Sequence, residues 1–183
     1  MVRHTPGPYH IPLLNDKVAA NMTSGISEQN APGKAGEFDF LSGHWKITHR
    51  QLKSSHPEVW DSFEGEASCW SILDGMVSVE ELRIPARDFS GMGLRVLNKD
   101  KQVWSDFWMN ARSGIVLTPG VEGGFHDGRG VFVSSQADGA QTILVRGVWD
   151  NISEVACRWQ QATSRDGGQS WQTNWEMDWQ RAG

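Results

Sequence analysis

His49 has the widest chemical range of any side chain in this sequence. It lies in the run Trp45-Lys46-Ile47-Thr48-His49-Arg50-Gln51, and in an extended strand every second residue points to the same side. If Trp45 faces a core, then Ile47, His49 and Gln51 face it too. An interior imidazole can serve as a general base, as a hydrogen-bonding group for a ligand, or as a metal ligand. It can equally be a core histidine satisfied by a neighbouring carboxylate or carbonyl. His49 is therefore the one candidate catalytic residue. Arg83, Arg95, Arg146 and Arg158, with Glu80, Glu81, Glu176 and Asp178, also sit inside strand-like runs. On an outer face such charges are merely solvated. On an inner face each needs an opposite charge or a ligand, because an unpaired buried ion costs several kcal/mol. The chain also carries ten tryptophans. Most of them suit core packing, and a subset such as Trp104, Trp159 and Trp175 suits the wall of a pocket for a flat molecule.

Other chemistries find no support. His4, His10, His44, His49, His56 and His126 do not cluster as metal ligands do, and Cys69 and Cys157, the two cysteines, form no CxxC pair. No zinc or iron–sulfur centre is expected, and no cofactor. There is no Gly-x-Ser-x-Gly elbow, phosphate-binding glycine loop, dinucleotide fingerprint or His-Glu-x-x-His. With 17 Lys+Arg against 22 Asp+Glu the net charge is −5, which makes nucleic acid an unsuitable partner. No run approaches the ~18 apolar residues of a membrane helix, so no membrane partner is expected. The first residues, Met1 to Asp16, lack an apolar leader core. With two cysteines and no leader, the expected compartment is a reducing cytoplasm.

The elements that must position these residues are strands. Segments rich in Val, Ile, Phe, Trp and Thr recur near 44–53, 60–72, 76–84, 91–98, 101–109, 114–118, 129–136, 141–149, 154–163 and 171–180. Gly, Asp, Asn and Pro punctuate them, with turns expected at 73–75, 84–90, 98–100, 120–124, 137–139 and 166–168. No window after residue 40 has a helical period. About ten antiparallel strands must close into a barrel or fold into a sandwich to protect their edges. Residues 1–36 differ: Pro6, Pro8, Pro12 and Pro32 punctuate them, with Leu13, Leu14, Val18 and Met22 suited to one short amphipathic turn or helix. They read as an irregular N-terminal arm before a domain spanning 37–183, with a lid or a dimer-forming arm as the alternative role. A homodimer is compatible with either.

Two motifs, with further segments beside them, carry a resemblance. Phe38-Asp39-Phe40-Leu41-Ser42-Gly43-His44-Trp45 resembles the Gly-x-Trp opening of lipocalin-like (calycin) barrels, where the tryptophan plugs one end. Ser164-Arg165-Asp166-Gly167-Gly168-Gln169-Ser170-Trp171 fits the Asp-box pattern. It occurs once, without a 40–50-residue repeat, so it reads as a stable hairpin corner and not as a sialidase propeller. Together with Gly93-Leu94-Arg95, Trp104, Trp108, Gly124 to Gly128, Arg146-Gly147-Val148-Trp149, Arg158-Trp159-Gln160-Gln161 and Asn174-Trp175-Glu176-Met177, these motifs resemble a bacterial family of lipocalin-like domains, domain of unknown function 1579 and its relatives, over residues 37–181. The resemblance implies one all-β, antiparallel, lipocalin-like barrel of about ten strands. It implies no activity and transfers no catalytic residue. It falls on Arg95 and Arg146, which makes them the expected inward pair. Nitrobindins share this type of barrel, but their haem ligand lies on a late strand and this chain has no histidine after His126, so haem is not expected.

The functional expectation is a cavity lined by His49, Arg95, Arg146, Trp104, Trp159 and Trp175. It binds a small, partly apolar molecule carrying an acidic or carbonyl group. Two alternatives stand beside it: an isomerase, cyclase or hydratase using acid–base residues of the same cavity, and a structural domain whose barrel is filled by its own tryptophans.

Overall fold

The computed structural model describes residues 32–55 and 58–183. Its elements are β1 (Gly43–Ser55), β2 (Glu58–Ile72), β3 (Val77–Ile84), β4 (Phe89–Asn98), β5 (Val103–Asn110), β6 (Ile115–Val116), β7 (Val121–His126), β8 (Arg129–Asp138), β9 (Gln141–Asp150), β10 (Ala156–Ser164) and β11 (Gln172–Arg181), with short 3-10 turns at Asp39–Leu41 and Pro85–Arg87. The sheet runs β4-β3-β2-β1-β11-β10-β9-β8-β7-β5, and β4 pairs back onto β5. All pairings are antiparallel. The result is a closed ten-stranded barrel, which leaves no free edge and fits a lipocalin-like fold. The two-residue β6 pairs with the end of β5 that β7 leaves unpaired.

One sequence expectation is corrected. Residues 120–124 are not a turn but the start of β7. Gly123 lies opposite Trp104 and Phe132, and a Cβ there would come within 2.5 Å of the Phe132 ring. The glycine marks a close approach of aromatic and backbone inside a strand, not a reversal. Of the expected N-terminal arm, residues 1–31 lie outside the described residues, and 33–36 are fastened to the barrel. The Gly33 N–H donates to Gln102 O at 2.8 Å and the Gly36 N–H to Gly75 O at 2.9 Å.

One end of the barrel is filled with aromatic rings. Phe38, carried in by the 3-10 turn, meets Trp104 and Phe125 edge-on at 5.0 and 4.9 Å, and Trp149 stands 5.4 Å from Trp179. Trp45 is buried, donates its Nε1–H to Leu41 O at 2.6 Å, and lies under the Arg181 guanidinium at 4.3 Å. Arg181 in turn donates to the carbonyls of Ser42 and Phe40. Gly43 is required here. Its φ is +127°, and a Cβ would come within 2.5 Å of Arg181 Nη1. The Gly-x-Trp signal thus corresponds to a plug clamped between the first and last strands.

The hairpin after β10 follows the sequence expectation. Asp166 accepts from the Ser170 N–H at 2.9 Å and from the Ser164 hydroxyl at 2.8 Å, while Trp171 donates to Gly168 O. A register shift follows, with Gln161 opposite Trp175 but Ala162 opposite Thr173. Asn174 is the extra residue of this bulge. The bulge falls beyond Trp159, so Trp159 faces inward and Arg158 outward, where Arg158 pairs with Asp178 at 2.7 Å.

Candidate functional site

Away from the aromatic plug the inward side chains are less buried. Trp45, Ile47 and His49 alternate strictly with exposed neighbours along β1, and Phe89, Gly91, Gly93, Arg95 and Leu97 are buried along β4. Yet the inward positions Trp108, Ser134, Val145, Trp159, Gln161 and Trp175 are only half-buried. The interior thus divides into a plugged half and a chamber end whose inward side chains keep some contact with solvent.

Between the two halves lies a polar centre. Register sets Arg95 of β4 opposite Ser78 of β3 and Asp106 of β5, while Glu80 of β3 lies opposite Gly93. Arg95 Nη2 donates to Glu80 Oε2 at 2.5 Å, and Arg95 Nε stands 3.6 Å from Asp106 Oδ1. That second spacing is an ion pair but too long for a hydrogen bond. The side chains of Arg95 and Glu80 are 5% and 3% exposed, whereas Asp106 keeps 25%. Asp106 is thus the member of the cluster that faces the chamber, and Arg95 lies behind it. Burial pushes the Asp106 carboxyl up to about 6, against the pull of Arg95 and with the help of the Glu80 charge. Burial opposes the Arg95 charge, but Glu80 and Asp106 hold it protonated. Its guanidinium carbon lies 5.3 Å from both the Phe38 and Trp149 rings. Nε and Nη1 are buried without a hydrogen-bond acceptor, two unmet donors that a protein rarely keeps without reason.

His49 is inside the barrel, as the strand period requires, but packed within the wall. It is fully buried, stacks on Phe63 at 4.6 Å, and accepts the Trp175 Nε1–H at Nδ1 at 3.2 Å. Indole only donates, so Nδ1 is the acceptor and Nε2 carries the proton. Nε2 occupies the space over Gly65, where a Cβ would stand 2.6 Å away, and it has no hydrogen-bond partner. Burial, reinforced by the Arg87 charge, lowers the His49 pKa to about 4. Arg87, brought in by the Pro85–Arg87 turn, lies over the Phe63 ring and pairs with Asp61. The column from Arg87 through Phe63 and His49 to Trp175 stiffens one side of the chamber. With its lone pair engaged and its pKa depressed, the imidazole holds Trp175 in place; it has no free lone pair with which to act as a general base.

The remaining sequence candidates separate. Trp159 and Trp175 stand edge-to-face at 6.1 Å on the chamber side. Trp104 belongs to the plug: it is fully buried, and its Nε1–H donates to Glu37 Oε2 at 2.9 Å. Arg146 is not inward. Trp149 and Gly147 take the inner positions of β9, so Arg146 falls on the outer face, where its guanidinium lies 4.2 Å from the Trp171 ring. The expected Arg95–Arg146 pair is replaced by Arg95 with Glu80 and Asp106. Asp106 was the residue sequence reading missed. Its signal is the alternation Trp104-Ser105-Asp106-Phe107-Trp108, an acid in step with two tryptophans.

Outside the barrel there are two surface grooves. One, of about 470 Å³, is bordered by Thr48, Asn151, Arg158, Asp178 and Gln180. The other, of about 410 Å³, is bordered by Leu94, Val96, Phe107, Val116 and Thr118. Among the described residues no three His, Cys, Asp or Glu side chains are grouped to hold a metal ion, and no helix is long and apolar enough to cross a membrane. No family model matches the chain, and no curated protein matches it.

Proposed function

We propose that the barrel binds a small, flat, partly apolar organic molecule that presents an acidic or carbonyl group to the Arg95–Asp106 centre. The observation that carries this reading is Arg95, buried in the barrel with two donors unmet beside a carboxyl that solvent reaches from the chamber. Trp159, Trp175 and Trp108 supply flat apolar walls, and ligand pockets combine such walls with a few polar groups. The partner is a small molecule, with no role for nucleic acid or membrane. A cytoplasmic setting and kinship with the lipocalin-like family named above belong to the same proposal.

A second reading, acid–base catalysis in the same chamber, draws support from Asp106. A carboxyl held near neutrality and reached by solvent suits proton transfer better than the sequestered His49. The filled-barrel reading describes the plugged end alone.

Quenching of intrinsic tryptophan fluorescence by 2-naphthoate tests the proposal. The double variant Glu80→Gln/Arg95→Met removes the buried pair together, and the Asp106 carboxyl, with its cation gone, is held further toward its neutral form. We expect at least tenfold weaker binding by the double variant than by the parent. Equal affinities within twofold would overturn the assignment of Arg95.

A further inference from the structure

We propose that the chamber takes up a monocarboxylate together with one proton, the ligand carboxylate and the Asp106 carboxyl sharing that proton in front of Arg95. This rests on the reading of the barrel as a binding site and specifies its ligand class and its regulation.

The argument is a charge count in a confined space. Three ionisable groups meet at the polar centre: Glu80 from β3, Arg95 from β4 and Asp106 from β5. With both acids ionised the centre already carries one net negative charge. The other titratable groups facing it are the buried thiols of Cys69 on β2 and Cys157 on β10, both held neutral because burial raises their pKa values. On the β1 side, His49 is neutral and turned toward Trp175 and Gly65. β7 presents Val121 and Gly123 opposite Asp106 and Trp104, and β9 presents Trp149, none of them charged. Among the described residues no second cation is therefore at hand to balance an incoming anion.

Asp106 is also the group that such an anion meets first, since it is the accessible member and Arg95 is behind it. Two carboxylates cannot face each other at hydrogen-bond distance without a proton between them. One proton bound on entry turns that repulsion into an O–H···O⁻ bond and keeps the centre at the one net negative charge it carried before. No bond to carbon is made or broken, and the proton comes from solvent. A phosphate or dicarboxylate brings a second charge that one proton does not offset, so the class is limited to monocarboxylates on an apolar, flat body.

The proton is taken up only where Asp106 is ionised in the free protein, above about pH 6. The 2-naphthoate dissociation constant should therefore be level between pH 5 and 5.5 and rise about tenfold per pH unit between 7 and 8. Calorimetry at pH 7.5 in phosphate and in Tris should give heats that differ by one proton's worth of buffer ionisation. Asp106→Asn, which carries the neutral amide permanently, should bind 2-naphthoate with an affinity independent of pH from 5 to 8. The neutral isostere 2-naphthamide should bind the parent without proton uptake. Binding of 2-naphthoate with no buffer-dependent heat and no pH slope would overturn the proton-coupled step while leaving the chamber as a binding site. Failure of both compounds to bind at any pH would overturn the binding-site reading itself and the inference with it.

Discussion

Burial acts with opposite sign on His49 and Asp106, because one loses a positive charge to it and the other a negative one. The unfolded chain protonates His49 near 6.5, whereas the folded protein resists until about 4. Between these values the unfolded state binds more protons, so stability falls as pH drops from 6.5 to 4, by about 3 kcal/mol for this shift. Asp106 runs the other way. The folded protein keeps its proton up to about 6, but the unfolded chain loses it near 3.8, so stability falls by about 3 kcal/mol as pH rises through that window. The two nearly cancel in the parent. Urea melts across pH 4 to 7 should unmask them. Asp106→Asn should lose stability toward acid relative to the parent, and His49→Gln should gain it. Profiles of both variants running parallel to the parent would refute the assigned shifts. These residues differ in how far the sequence exposes them. The inward direction of His49 follows from counting by two from Trp45. Counting by two from Trp149 likewise sends Arg146 outward, and the expectation failed there because it followed a resemblance and not the strand period. Asp106 is hidden because an aspartate in a strand looks solvated until the strand across from it is known to bring Arg95.

At the level of elements, the start of β1 and the end of β11 are one mechanical unit. Trp45 ties the 3-10 turn to the barrel through Leu41 O, and Arg181 ties the last strand to the same turn. Trp45→Ala should destabilise by roughly 3–5 kcal/mol, the range for deleting a large buried aromatic. A urea-melt difference below ~1 kcal/mol would show that the plug is not what closes this end. Most strands were legible because alternation of buried and exposed residues has a fixed period of two, and the turns between them use Gly, Asp and Asn. β7 was not, because its glycines resemble a turn unless the rings that need their space are known. The bulge at Asn174 lies beyond Trp159 and so leaves Trp159 inward.

The whole molecule is a barrel with unequal halves. The plug fills one end, and the Glu80–Arg95–Asp106 cluster lies where it meets the less buried end. The sequence carried the barrel, the plug and the inward arginine. It did not carry the division of the interior, which depends on residues from β3, β4, β5, β9 and β10 meeting across the barrel. Closure is a long-range property that local period and spacing do not encode. The central claim is that this inner boundary is a binding surface reached through the chamber. Its most direct test is a crystal structure of the protein with 6-bromo-2-naphthoate, located by the anomalous signal of bromine. The account predicts one bromine site inside the barrel near Trp159 and Trp175, with the ligand carboxylate within hydrogen-bond distance of Asp106. Bromine confined to the outer groove at Leu94, Phe107 and Val116, or a barrel with no space beside Asp106, would contradict it.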